Sequence, residues 1–341
     1  MTKEKKLKII QAKGSIFQIG ETIGIKTRKE ILTILSKKKR CYSNNSKLDK
    51  IYQSYLKELK KIPEAIELLN GMAKGAKIDF ELLAKLNMHE IEEEAESKVD
   101  HCSTVVIKKE KGFIIGHNED GSKEDKEIFL LKAEFDNNIK INSICYNGSL
   151  PGISITTNSE GITIFPNELN AKNRQIGIPK KAILFKIGFM KNINEITTYL
   201  KSIKRADGEN YIIHHNNRVF NIETAPGKIV KREIKNNFAH CNNYIEKKLI
   251  KYERRINKKI GSFIRIKNAT QMIKDAKIIK DIKEILSSHQ DRPSCLCSHQ
   301  DLGDFNETLS TIIFDSESQF MELSLGQACE NKFIKEKIIF K

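Results

Sequence analysis

The chain contains no tryptophan, and only 8 Tyr and 16 Phe in 341 residues. Few flat aromatic faces are available for stacking bases, and no DNA- or RNA-binding motif stands out. No apolar run approaches the ~18 residues of a membrane-spanning helix, so no membrane partner is expected. The opening Met1-Thr2-Lys3-Glu4-Lys5-Lys6 is charged and lacks an apolar stretch and a small-residue cleavage site. It is not read as a secretory signal, and a cytoplasmic location is expected. The 7 cysteines are odd in number and scattered, which argues against a disulfide framework and fits a reducing compartment. There is no Gly-x-Ser-x-Gly elbow. The pair Gly148 and Gly152 lacks the lysine and helix of a phosphate loop. No internal repeat or disordered linker is seen.

Present instead is an excess of base, 60 Lys plus Arg against 44 Asp plus Glu, a net charge of +16. The lysines are spread along the whole chain and often stand beside acids. They read as solvated faces, and nucleic acid is not an expected partner. Hydrophobic content is 39%, enough for a sizeable core.

Apolar spacing divides the chain. Residues 8–25 read as a strand and turn, and residues 27–95 as helices, with Pro63 starting one and Gly75 ending it. From Ser103 the texture becomes β. Runs at 104–107, 113–117, 128–133, 141–146, 153–157 and 162–165 are separated by turns such as Lys111-Gly112 and Asn147-Gly148. Helical stretches are expected at 180–203, 245–258 and 269–287. Strands are expected at 211–214, 219–223, 228–234, 308–313, 320–325 and 333–339. His214-His215, ahead of an Asn216-Asn217 turn, is expected at the surface. The pattern implies an α+β fold, two sheets face to face with helices outside.

The chemistry centres on Cys102, in His101-Cys102-Ser103-Thr104-Val105-Val106, followed by a hairpin that closes on Gly116-His117-Asn118-Glu119-Asp120. A thiol is a weak nucleophile until a base takes its proton. His101 and His117 are the nearby histidines. The alternative is cleavage before Cys102, after which its own α-amine, with a reference pKa near ~8, serves as the base. A buried cysteine with no chemistry is the plain reading of Cys102 taken alone.

Several segments, in order, resemble the autoproteolytic cysteine N-terminal-nucleophile hydrolases related to acyl-CoA:6-aminopenicillanic acid (isopenicillin N) acyltransferase. These are Gly14-Ser15 through Gly20 and Gly24 (as an N-terminal strand), Leu69 to Ala76, Cys102-Ser103-Thr104, Gly116 to Asp120, and Leu150-Pro151-Gly152 with Asn158, Gly161 and Asn167. Leu86-Asn87, His240-Cys241-Asn242-Asn243-Tyr244, Ser288-His289, Cys295 to His299 and Thr308 (opening the last strands) complete the set. The resemblance implies a four-layer αββα sandwich preceded by a helical N-terminal segment. It implies cleavage between His101 and Cys102 into residues 1–101 and 102–341, which stay together as one unit. It implies Cys102 as nucleophile, Asp120 as its orienting partner and Asn242 as an oxyanion donor, with Ser103, Thr104, Asn118 and Glu119 at the substrate. The implied activity is hydrolysis or transfer of an acyl group at an amide or thioester through a Cys102 thioester, without a cofactor. An amide or an acyl-CoA donor would be the substrate, and self-association is left open. A bile-salt- or penicillin-amidase-like hydrolase is a close variant. An inactive scaffold and a basic nucleic-acid-binding protein are the readings from other classes.

The sequence departs from the pattern at His101 (where glycine is usual), Ser103 (threonine), Asn243 (often histidine) and Glu119 (often aromatic). The last argues against a penicillin-type substrate. Cys295, Cys297 and His299, with His289 upstream, are weighed as metal ligands. The one-residue spacing is taken as that of a strand, and no metal is expected.

Overall fold

Three apolar cores separate four layers. The computed structural model describes residues 7–38, 46–88, 90, 101–122, 128–254, 260–304, 306–330 and 332–337. In chain order, β1 (Lys8–Gly14) leads to α1 (Ile16–Lys38), α2 (Ser46–Leu59), α3 (Pro63–Ala76) and α4 (Phe80–Leu86). Then come β2 (His101–Lys108), β3 (Phe113–Gly121), β4 (Ile128–Phe135), β5 (Lys140–Tyr146), β6 (Thr156–Asn158) and β7 (Thr163–Leu169). Helices α5 (Lys180–Ile187) and α6 (Ile193–Ser202) precede β8 (Gly208–His215), β9 (Arg218–Ala225), β10 (Lys228–Ile234) and β11 (Phe238–His240). The described chain ends with α7 (Ile260–Met272), α8 (Ile279–Leu286), β12 (Glu307–Asp315), β13 (Phe320–Leu325) and β14 (Ile334–Lys337).

One sheet has the order β1-β4-β5-β6-β7-β8-β9-β10, the other β11-β2-β3-β12-β13-β14. Successive side chains of a strand point to opposite faces, and here both faces are covered. Val106, Ile115 and Phe314 of the second sheet meet Leu130, Phe165 and Ile212 of the first between the sheets. Val105, Ile107 and Ile313 face α7 and α8, packing on Ala269, Ile282 and Leu286. Phe129, Leu131 and Ile213 face the other way, onto α1 to α6. Burial on both sides explains why β2 and β3 read as continuous apolar runs and not as alternating ones. This is the αββα sandwich the resemblance implies.

The first helix starts earlier than expected, and residues 16–25 are helical, not extended. Glycines are the reason. A Cβ at Gly20 would fall on the carbonyl oxygen of Leu68, and one at Gly24 on that of Met72. Reciprocally, Gly71 lies against the Phe17 carbonyl and Gly75 against that of Glu21. Two glycines four apart on each helix let α1 and α3 approach at backbone distance. Gly75 is thus a packing residue inside α3. The helix ends at Ala76, and Lys77, in the left-handed conformation (φ 54), caps it through N–H bonds to Ala73 and Lys74. On an isolated helix Gly71→Ala would gain about 1 kcal/mol. Here it is expected to cost ~1–3 kcal/mol through overpacking, read as a lower unfolding midpoint. An unchanged or higher midpoint would mean that the helices can separate without penalty.

Other expectations need correction. Residues 245–254 form turns with a short 3-10 segment at Ile250–Tyr252, not a helix. His214 and His215 are buried, not at the surface. His214 has no hydrogen-bond partner on either ring nitrogen, and burial pushes its pKa down to about 4. Residues 295–299 are irregular, not a strand. The strand expected at 153–157 begins only at Thr156 and runs to Asn158.

The N-terminal region is built into the sandwich. β1 pairs in parallel with β4. The Asn87 side chain accepts from Leu150 N–H at 2.7 Å and donates to the Gly148 carbonyl at 2.9 Å. Glu90 accepts from Lys180 N–H at 2.8 Å.

Candidate active site

The β2–β3 hairpin carries the site. Its register pairs Cys102 with Glu119, Thr104 with His117 and His101 with Asp120. Directly opposed residues share a face, so Cys102, Thr104, His117 and Glu119 all point between the sheets. Cys102 is 5% exposed. A ligand-type atom from each of Cys102, His117 and Glu119 lies within 4.8 Å of the others.

A directional chain of hydrogen bonds sets the protonation of His117. Asn221 Nδ2 donates to Glu246 at 3.0 Å, Asn210 Nδ2 to Asn221 Oδ1 at 2.6 Å, and Asn167 Nδ2 to Asn210 Oδ1 at 2.8 Å. Each amide oxygen is left as an acceptor, so the Thr104 hydroxyl donates to Asn167 Oδ1 at 3.0 Å. Thr104 Oγ1 then accepts from His117 Nδ1–H at 2.8 Å. His117 Nε2 faces Glu119 Oε2 at 3.1 Å, and a lone pair against a carboxylate would repel. A proton must lie between them. Glu119 also accepts from the Tyr146 hydroxyl at 2.8 Å. A buried, shared proton therefore stands beside the Cys102 thiol.

The backbone nitrogen of Cys102 is held from the other side. It donates to Asn242 Oδ1 at 2.8 Å, across 140 residues of sequence. Asn242 follows β11, which pairs with β2 at Thr104 to Val106, so strand pairing delivers the amide to the head of β2. Arg265, on α7, donates to the same Oδ1 at 2.7 Å and to Ser103 Oγ at 3.3 Å. Asn242 Nδ2 donates one hydrogen to the Glu168 carbonyl at 3.1 Å. Ser262 accepts the Asn242 N–H at 2.9 Å and donates to Asn243 Oδ1 at 2.8 Å.

The expected site residues separate into groups. Cys102, Thr104 and Glu119 share one face, and Asn242 reaches the Cys102 nitrogen. Ser103, Asn118 and Asp120 point the other way, toward α7 and α8. Asn118 gives both amide hydrogens to the carbonyls of Leu286 and Leu296 and accepts from Thr311. It is a clamp with no hydrogen left for a substrate, contrary to expectation. Ser103 is buried against Arg265 and Cys241. Asp120 Oδ1 accepts from Thr308 at 2.7 Å, and its buried Oδ2 has no hydrogen-bond partner, so no hydrogen bond ties Asp120 to the thiol. The side chain of His101 lies outside the described residues. Sequence reasoning missed Arg265, Tyr146 and the Asn210–Asn221 ladder.

Burial pushes the Asp120 carboxyl up to about 8, against the pull of Arg265 and the Thr308 hydrogen bond. The folded protein holds this proton until pH reaches about 8, whereas an unfolded aspartate releases it near 3.8. Between those values the unfolded chain binds fewer protons, so this contribution to stability is complete below the lower value and lost as pH rises through the upper. Asp120→Asn should remove that slope. The stability of the variant relative to wild type should rise from pH 5 to pH 9 in denaturant unfolding. Parallel profiles would show that Asp120 titrates normally.

No helix among the described residues is long and apolar enough to cross a membrane. A sequence model of the acyl-coenzyme A:6-aminopenicillanic acid acyl-transferase family matches residues 105–330. Among curated proteins the chain is similar to the beta-alanyl-dopamine/carcinine hydrolase of Drosophila melanogaster, 25% identical over 209 residues. That alignment covers 54% of each chain, so the chain matches about half the length of this relative. Among solved structures it is similar to a variant of the conjugated bile acid hydrolase from Clostridium perfringens. The TM-score is 0.46 at 10% identity, over 69% of this chain and 97% of that one.

Proposed function

This chain belongs to the acyl-coenzyme A:6-aminopenicillanic acid acyl-transferase family, and we propose that it is a self-processing amide hydrolase or acyltransferase whose nucleophile is Cys102. The observation that carries the reading is the grip of Asn242 on the Cys102 backbone nitrogen at 2.8 Å. Cleavage before Cys102 would turn that nitrogen into an α-amine already held in place beside its own thiol.

In maturation, the Cys102 thiolate adds to the His101 carbonyl carbon. The C–N bond breaks, and the nitrogen takes the proton given up by sulfur. Water then hydrolyses the His101 thioester, leaving a carboxylate on residues 1–101 and a free thiol and amine on Cys102. Pairing of β1 with β4 and the Asn87 and Glu90 contacts keep the two pieces together.

In turnover, the α-amine accepts the thiol proton and sulfur attacks the acyl carbonyl of the substrate. The tetrahedral oxyanion is met by the second hydrogen of Asn242 Nδ2, the first being spent on Glu168. The leaving amine departs with the proton. Water, or a second amine or thiol, then attacks the thioester and restores Cys102. Water makes the protein a hydrolase and another acceptor makes it a transferase.

Intact mass of the purified protein tests the reading. Two fragments are expected, the larger beginning at Cys102, and thiol-dependent release of amine from a set of acyl amides, β-alanyl amines and acyl-CoA thioesters included. A single full-length chain without turnover on that set would favour an inactive scaffold.

A further inference from the structure

Three side chains of residues 289–299 and one at residue 329 converge behind the site, where the sequence suggested no metal. His289 follows α8, Cys297 and His299 lie in the irregular segment that comes next, and Cys329 follows β13. One ligand atom from each lies within 4.8 Å of all the others. His289 Nε2 and His299 Nε2 are 3.1 Å apart, and His299 Nε2 is 3.2 Å from Cys329 Sγ and 3.6 Å from Cys297 Sγ. The two sulfurs are 3.6 Å apart.

Hydrogen bonding does not account for this cluster. A ring nitrogen carries one lone pair or one hydrogen, yet His299 Nε2 faces three partners at once. A common centre does account for it. A tetrahedron with Zn–S of ~2.3 Å and Zn–N of ~2.0 Å has edges of roughly 3.3 Å (N–N), 3.5 Å (N–S) and 3.8 Å (S–S). The four separations lie within a few tenths of an ångström of those edges. The other nitrogen of His299, Nδ1, lies 3.5 Å from Glu330 Oε1, the carboxylate–histidine arrangement that orients a metal-bound imidazole. Cys295 is excluded, because its sulfur turns to the Cys297 carbonyl and Asp304.

We propose that His289, Cys297, His299 and Cys329 bind one zinc ion in a closed, structural Cys2His2 site. Binding releases two protons, one from each thiol, to solvent, and the two thiolates neutralise the ion. Four protein ligands leave no open position for a substrate. The ion would fasten the segment after α8 to the segment after β13. That first segment supports the floor of the candidate active site. Ser298 exchanges hydrogen bonds with Thr308, which donates to Asp120, and Asn118 holds the Leu296 carbonyl.

Elemental analysis of the full chain, equilibrated with zinc and then freed of loose metal by gel filtration, is expected to give about one zinc per chain. Cobalt in its place should show the strong visible absorption of tetrahedral thiolate coordination. Cys329→Ser, at an exposed position, and Cys297→Ser should retain at least roughly tenfold less metal, while Cys295→Ser retains it. Chelation should lower the unfolding midpoint of wild type but not of Cys329→Ser. Zinc content near zero in folded wild type would overturn the proposal. So would a Cys297–Cys329 disulfide found by intact mass, or undiminished metal in Cys329→Ser.

Discussion

Cys102→Ala is expected to leave one uncut chain and to reduce amide turnover by roughly 10⁴-fold or more. The thiol is asked to do two things, to cut the chain and to carry the acyl group, and alanine can do neither. The fold should tolerate the change. The β2 ladder runs through backbone groups, the Asn242 oxygen still accepts the N–H of residue 102, and a buried cysteine packs as a small apolar side chain. Denaturant midpoints close to wild type, with a full-length mass and no burst of released amine, are the expected result. Cys102→Ser should mature slowly, because a hydroxyl holds its proton far more tightly than a thiol. A variant cut as fast as wild type would place the scission under an outside protease. Turnover kept in Cys102→Ala would remove the nucleophile from Cys102 altogether.

Much of this arrangement can be read from sequence because strand pairing is local. Val105-Val106-Ile107 and Phe113-Ile114-Ile115 flank a short turn, and that fixes the hairpin register. Counting along it places Glu119, not Asp120, opposite Cys102. The expectation for Asp120 followed nearness along the hairpin. The two-residue alternation of side chains sends Asp120 to the opposite face. Asn242 could be picked out through the family pattern, whereas Arg265 could not. It is one more basic residue on a helix, and only tertiary packing brings it within 2.7 Å of Asn242. The Asn167–Asn210–Asn221 ladder crosses three adjacent strands, β7, β8 and β9, and one-dimensional spacing carries no sign of it. Gly20 and Gly24 mislead in isolation, since glycines commonly mark turns. Their meaning as a close helix contact depends on the matching pair at Gly71 and Gly75. Three residues of the metal-type cluster, His289, Cys297 and His299, stand out by spacing, but the fourth, Cys329, is brought in only by β12 and β13.

Asn242→Asp separates the two tasks assigned to that side chain. An aspartate keeps an oxygen for the Cys102 nitrogen and for Arg265, so the head of β2 should stay in place. It loses Nδ2, the donor assigned to the oxyanion, and with it the bond to the Glu168 carbonyl, a loss that Asn242→Ala shares. The loss of one aimed donor is worth ~3–4 kcal/mol, a fall of roughly 10²–10³ in kcat, with KM little changed because the ground-state carbonyl is not where the donor points. Maturation passes through an oxyanion on the His101 carbonyl and should slow by a similar factor, read as the half-time of the uncut band. Asn242→Ala serves as the comparison. It removes acceptor and donor together and leaves the Cys102 N–H and the Arg265 guanidinium without their buried partner, at a further cost of ~1–3 kcal/mol in stability. If Asn242→Asp turned over within a few-fold of wild type while Asn242→Ala merely lost stability, Asn242 would be a clamp on β2 alone. The oxyanion donor would then have to be sought elsewhere around Cys102.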